Sequence, residues 1–489
     1  MEEAEGEKTL VYAIRPGVVA RYGGRLALVL ALLCLPPLAV ALLYGEYPYV
    51  WRFAAVALVL VLAGLGARRL PEPERVRRNE GYAVTGAAFL LTPVLMAFAL
   101  TPAGLAAPDL LFETISGVTT TGLTTLPAAQ HPDATFLFTR AFMQWYGGLG
   151  IVILSVALLM QHQTAAMPWI EAVPAGENLL TTLRTHTVRV LKVYLVLTAV
   201  AVICARIWFG GWFEAVCHAL SAVATGGFAF RGESLAGLSP AGQIGMAVIA
   251  AAGAVSLPLY YRLWSGDWRT LLHSAELRAY LVLLLLSGAL LSLLYSWTTA
   301  ASAGDSLRIG FVMGLSAQST TGFANTSVGA LSPALKLVLI YSMLIGGCVG
   351  STAGGIKVYR LLVLGRVLQN DMQRAAAGEH AVLTPRLGGN TLAEPDIRKA
   401  LLVGALMPGT CLLSWLPFLL YGYDPLNALF EVVSAVGTVG LSSGITSAAL
   451  PAPLKAVLCF DMLAGRVEVL ALLSLLYPHN WFGRRETLT

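Results

Sequence analysis

The sequence predicts an all-α polytopic membrane protein: four pseudo-symmetric helix–pore loop–helix repeats, preceded by two extra N-terminal helices. Three observations carry this reading. Of 489 residues, 57% are hydrophobic and only 12% are charged, about half the charged share of a soluble domain. Nearly charge-free apolar runs recur along the chain, at Leu26–Leu43, Phe53–Gly66, Tyr82–Leu100, Ile151–Met160, Val190–Ile203, Ala279–Leu294 and Leu454–Leu476. A short motif containing Ser and Gly occurs four times.

A spanning helix needs roughly 20 apolar residues. The runs lack strand alternation, so helices are the way they cross lipid. Basic residues cluster at Arg15/Arg21/Arg25, Arg68/Arg69 with Arg75/Arg77/Arg78, Arg184/Arg189/Lys192, Arg262/Arg269/Arg278, Lys357/Arg360/Arg366/Arg374 and Arg484/Arg485. By the positive-inside rule these clusters, and both termini, are expected in the cytoplasm. They border apolar runs, which argues against nucleic-acid binding. The acidic first 15 residues do not resemble a cleavable signal peptide. Cys34, Cys204, Cys217, Cys348, Cys411 and Cys459 form no CxxC pair and read as small packing residues.

The repeats read SGVTTTGL from Ser116, SAVATGGF from Ser221, SAQSTTGF from Ser316 and SAVGTVGL from Ser434. Their glycines, Gly122, Gly227, Gly322 and Gly440, are spaced by 105, 95 and 118 residues. Each motif follows an apolar helix and a stretch too short to span, and precedes another apolar helix. The expected unit is outer helix, re-entrant helix, Gly-bearing loop, inner helix. The expected domains are residues 1–78 (two extra helices), 79–165, 166–275, 276–370 and 396–489 (four repeats), with a cytoplasmic linker at 371–395. This makes ten spanning helices in all, those of the four repeats set around one pore and the two extra ones outside it.

Residues of these types suit a site that replaces a cation's water shell. Successive carbonyls aimed at one axis need unusual backbone angles, which Gly reaches cheaply and without side-chain bulk. Small hydroxyls add oxygens. The candidate filter is Thr120, Thr121, Gly122; Thr225, Gly226, Gly227; Thr320, Thr321, Gly322; and Thr438, Val439, Gly440. The carbonyl end of each short helix favours a cation in the cavity below. Glu113 and Glu431 stand at equivalent places in the first and fourth short helices, where the others have His218 and Met313. They are read as filter supports that attract cations, or as packing and capping groups. The loops differ from one another, and this predicts a simpler filter than four identical loops would build.

Two gate candidates lie beneath. The third inner helix is interrupted by GGCVGSTAGGIK, residues Gly346–Lys357, with five glycines in ten residues, each costing roughly 1 kcal/mol in a helix. Gly346, Gly347, Gly350, Ser351, Thr352, Gly354, Gly355 and Lys357 are read as a flexible intramembrane loop, with a close-packed helix crossing as the alternative. Arg466 sits within the last inner helix. Asp461 and Glu468 are off its helix face, so its partner is expected to be a carbonyl or carboxylate of another segment.

These motifs, with QWYGGLGIVIL (Gln144–Leu154), GSTAGGIK (Gly350–Lys357) and GRVE (Gly465–Glu468), resemble those of the potassium transporter superfamily that includes TrkH, KtrB and the plant HKT proteins. The two extra helices make the chain look like the TrkH branch. The resemblance covers nearly the whole chain and implies several properties. Potassium would be held at Thr120, Thr121, Thr225, Gly226, Thr320, Thr321, Thr438 and Val439. Gly346–Gly355 would be the gating loop, with Arg466 beside it. It implies a homodimer with one pore per protomer in the inner membrane of a prokaryote, contacts with membrane lipid, and a cytoplasmic nucleotide-binding regulatory subunit of the TrkA or KtrA kind. No bound cofactor is expected beyond the transported K+. A sodium- or proton-coupled symporter of alternating access is the competing reading. An enzyme is not expected, because His131, His162, His186, His218, His273, His380 and His479 show no paired metal spacing.

Overall fold

The computed structural model describes residues 13–73, 76–126, 132–161, 179–230, 232–376, 383–467 and 469–482. The acidic start through residue 12, Arg75, His131, His162, His380, Glu468, Arg484, Arg485 and part of the 371–395 linker lie outside the described residues. The fold is all-α, with one short hairpin between Arg386–Leu387 and Asn390–Thr391.

Six helices among the described residues are long and apolar enough to cross a membrane. Two are the extra N-terminal helices, Pro16–Leu43 and Tyr47–Ala67. Four are the outer helices of the repeats, within Arg78–Ala99, Leu179–Trp208, Ala275–Thr298 and Glu394–Leu420. The N-terminal pair packs closely because Gly24 lies against Ala67 and Gly64 against Leu28, where any added Cβ would collide.

The pore helices are Ala107–Val118, Trp212–Val223, Ala303–Gln318 and Pro425–Val436. At 12 to 16 residues they fall short of the roughly 20 needed to span. Side-chain caps start two of them: Ser302 accepts from the Asp305 N–H at 3.1 Å and Asp424 from the Asn427 N–H at 2.9 Å.

The inner helices are less regular than the outer ones. The first, Ala134–Gln161, is continuous. The second turns by 91° between Pro240–Gly253 and Leu257–Trp264. The first half ends at Gly253 and the second restarts after Ser256, with Pro258 in its first turn, where a missing N–H costs nothing. The third is broken between Pro333–Ile345 and Val358–Ala376, as its glycines predict. The fourth is Ala452–Val467, continuing as Val469–Leu476.

The repeats close into a ring. Each pore helix packs on its own outer and inner helices. Each inner helix also packs on the pore helix of the next repeat, and the fourth inner helix packs on the first pore helix. The C-terminal halves of the pore helices are therefore buried, and their ends face one interior.

Candidate functional site: a ring of four loops and the segment beneath it

All four pore helices end in the same way. The N–H of Thr121, Gly226, Thr321 and Val439 donates to the carbonyl of Ser116, Ser221, Ser316 and Ser434, at 2.9, 2.9, 2.9 and 2.8 Å. This wide turn leaves the preceding residue left-handed: Thr120, Thr225, Thr320 and Thr438 have φ of 55°, 52°, 55° and 50°. For a β-branched residue this costs about 1–2 kcal/mol each. Four repetitions of one costly conformation mark it as functional rather than accidental.

Two residues on, Gly122, Gly227, Gly322 and Gly440 also have positive φ, of 91°, 76°, 85° and 94°. A Cβ on Gly122 would meet the Gly226 carbonyl oxygen; on Gly227, that of Thr321; on Gly322, that of Val439; and on Gly440, that of Thr121. The contacts run from repeat to repeat and return to the start. The four glycines thus surround one axis, and four carbonyls, of Thr121, Gly226, Thr321 and Val439, lie in the same ring. On one side the ring opens to a vestibule of about 470 Å³ that touches all four glycines.

The repeated serine has a job that the sequence reading did not assign. Ser116 and Ser434 accept the N–H of Gly122 and Gly440 on their hydroxyls, each at 3.0 Å. They fix the glycines from behind. Glu113 and Glu431 are fully buried and cap the returning loop. Glu113 accepts from Thr124 Oγ1 at 2.5 Å and the Thr125 N–H at 2.8 Å. Glu431 accepts from Ser442 Oγ and the Ser443 N–H at 2.7 Å each, and from Thr446 Oγ1 at 2.6 Å. Glu113 is also paired with buried Arg140 at 3.0 Å. Of the two readings open for these carboxylates, the capping one describes this geometry. His218 makes a similar bond, accepting the Phe230 N–H on Nε2 at 3.3 Å.

On the other side of the ring, the break in the third inner helix crosses directly below the left-handed threonines. Thr352 Oγ1 donates to the carbonyls of Val223 and Gly253 at 3.1 and 3.0 Å and lies 3.2 Å from the Thr225 hydroxyl. The Gly354 N–H donates to Thr320 Oγ1 at 2.7 Å, and a Cβ on Gly354 would meet the Gly437 carbonyl and the Thr438 hydroxyl. Thr352 and Gly354 thus sit against residues of three different repeats. Gly346, Gly350 and Gly355 take positive φ of 73°, 74° and 76°, and Lys357 takes 82°.

The segment is anchored at both ends of its crossing. The Cys348 N–H donates to Ala254 O, and the Leu257 N–H to Gly350 O, each at 3.0 Å, so the break in the third inner helix is bonded to the bend in the second. Gln318 Nε2 donates to Gly346 O at 2.7 Å. Buried Glu276 accepts the Val349 N–H at 2.7 Å. Ser351 Oγ turns back on Cys348 O at 2.5 Å, Gly347 packs on Ala254, and Lys357 Nζ donates to Ala353 O. Arg466, buried, donates to Thr352 O at 2.7 Å and to Gly147 O at 3.2 Å. Its partners are carbonyls of two other segments. Asp461 instead accepts from Ser414 Oγ at 2.6 Å.

The family model described as "TrkH: Cation transport protein" matches residues 53–479. The chain belongs to the TrkH family. Like the members it resembles, it is a transporter chain rather than an enzyme. It is 31% identical over 389 residues to the Trk system potassium uptake protein TrkH of Salmonella typhimurium, covering 76% of this chain and 79% of the relative. It is 28% identical to that of Halomonas elongata, covering 95% and 99%. It is 25% identical to an uncharacterised cation transporter of Methanocaldococcus jannaschii, covering 94% of each. The crystal structure of the potassium transporter TrkH from Vibrio parahaemolyticus superposes with a TM-score of 0.85 at 24% identity, covering 96% of this chain and 100% of that one. That superposition establishes the TrkH fold here.

Proposed function

We propose that this protein takes up potassium across the cytoplasmic membrane by permeation through the four-loop ring, and that the segment Gly346–Lys357 is its gate. The observation that carries the reading is the cyclic contact of each filter glycine with the next repeat's carbonyl. It sets main-chain oxygens from all four repeats around one axis, where they can stand in for an ion's hydration shell. The relatives' names as Trk system potassium uptake proteins support potassium as the ion. The ion would be held by oxygens of Thr120, Thr121, Thr225, Gly226, Thr320, Thr321, Thr438 and Val439. Buried hydroxyls of Thr120 and Thr438 with no hydrogen-bond partner among the described residues support this. Fourfold closure with one occluding segment favours a gated pore over alternating access between two halves.

In this reading two protomers form a lipid-embedded homodimer, each with its own pore. A separate nucleotide-binding subunit of the TrkA kind acts on the cytoplasmic side to clear the segment. The test is potassium against sodium flux into liposomes holding the purified protein, with Gly322→Ser alongside. The unchanged protein should favour potassium, and the variant should lose the preference because the added side chain meets Val439 O. Equal permeation of both ions through the unchanged protein would refute the proposal.

A further inference from the structure

The ring is not chemically fourfold. In the first and third repeats a pair of hydroxyls stands behind it: Thr119 Oγ1 and Thr121 Oγ1 are 2.8 Å apart, as are Ser319 Oγ and Thr321 Oγ1. In the second and fourth repeats the corresponding residues are Ala224 with Gly226 and Gly437 with Val439, so both hydroxyls are missing in each. In the second repeat the gap is filled from the first inner helix. Gln144, fully buried, donates from Nε2 to the Gly226 carbonyl at 2.6 Å. Its Oε1 accepts from Ser221 Oγ at 2.8 Å and from the Phe228 N–H at 3.2 Å. Among the described residues, Gly226's is the one ring carbonyl that takes a side-chain donor. Gly226 is glycine for the same reason, since a Cβ there would meet the Gln144 carboxamide.

We infer that Gln144 is a positioning residue that fixes the Gly226 carbonyl and so sets the ion preference of the ring. The inference rests on the pore reading above. The amide is locked on its other side by two donors, so the carbonyl it grips cannot swing inward. Sodium is smaller than potassium and needs the ring to contract. Three carbonyls held by their own loops and a fourth clamped by an amide resist that contraction. The amide hydrogens also add positive charge near one quadrant, which weakens ligation there without removing the oxygen.

The test compares potassium and sodium flux in liposomes for the unchanged protein, Gln144→Glu, Gln144→Leu and the double variant Gln144→Ala/Gly226→Thr. Gln144→Glu keeps an acceptor for Ser221 and Phe228 but cannot donate to Gly226. The double variant restores the threonine found in the first and third repeats and empties the space it needs. We expect both single changes to lower the potassium-to-sodium ratio by about fivefold or more, the factor carried by one hydrogen bond of ordinary net strength. The double variant should recover the ratio. A structural role alone would lower both fluxes and the melting temperature together and leave the ratio unchanged. That result in either single variant would overturn the inference, while a lack of preference in the unchanged protein would instead sink the potassium reading.

Discussion

Arg466 holds the backbone of Thr352. One guanidinium nitrogen donates to the Thr352 carbonyl at 2.7 Å and another to that of Gly147 at 3.2 Å. The fourth inner helix is thereby tied to the segment interrupting the third and to the first. Arg466 stands 26 residues after its filter glycine, a place that Gly148 and Cys348 hold in the first and third repeats. The second repeat has Gly253 there, so at this place the fourth repeat alone carries a cation and a tether.

Replacing Arg466 with Ala should open the pore. Hydrogen bonds to a charged group contribute about 1.5–3 kcal/mol. If these bonds exist only while the segment blocks the path, losing them shifts the closed-to-open balance by roughly tenfold or more. Potassium flux into liposomes, without any regulatory subunit, should rise accordingly. Unchanged or lower flux in folded protein would refute the tether.

Thr352→Val tests the same gate from the other side. It keeps the volume and removes the hydroxyl that bonds Val223 O and Gly253 O. It leaves the two buried carbonyls that share this one proton short of a donor, at about 1–3 kcal/mol in all, and only in the blocked arrangement. Basal flux should rise, by less than for Arg466→Ala because the positive charge stays. Shortening Gly346–Gly355 should raise it further.

The fold was legible in the sequence where residue type alone carries the information. The four Ser-to-Gly motifs mark the pore loops because left-handed backbone and close approach to a neighbour's carbonyl leave little choice but Gly at positions 122, 227, 322 and 440. Five glycines in ten residues likewise announced the break in the third inner helix. What depends on contacts far apart in the chain was not legible. Gln144 stood in a recognisable motif, but its grip on Gly226 spans 82 positions, and nothing local points there. The bend after Gly253 was not marked by a breaker at its own position, and the bond from Leu257 to Gly350 that seats it is a tertiary event. The repeated Ser was aligned in all four loops, yet the bond of Ser116 and Ser434 to the glycine N–H could be assigned only once the turn geometry was known.

Glu113 and Arg140 form a buried pair at 3.0 Å, with 5% or less of either side chain exposed. Removing Glu113 alone leaves an uncompensated buried cation, at about 3–5 kcal/mol, and two loop donors, Thr124 Oγ1 and Thr125 N–H, without their acceptor. Glu113→Ala should lower the melting temperature strongly. Glu113→Gln, which keeps an acceptor oxygen for the loop, should lower it less. Adding Arg140→Met to either should restore part of the loss, since the stranded charge is gone. A double variant as unstable as the sum of its parts would show that the pair contributes through packing alone.

The filter reading makes a sharper demand on two glycines four residues apart. Gly440 and Gly444 both have positive φ, 94° and 100°. A Cβ on Gly440 would meet Thr121 O in the ring, whereas one on Gly444 would find nothing within 4 Å. Alanine at either position carries a backbone cost of about 1–2 kcal/mol, so both variants should melt earlier, Gly440→Ala by more because its Cβ also collides with the ring. Only Gly440→Ala also forces the Thr121 carbonyl to move. It alone should therefore change the potassium-to-sodium flux ratio, and Gly444→Ala serves as the control for strain without contact. If both variants altered the ratio equally, selectivity would follow from loop stability, and a geometric ring of oxygens could not be its source.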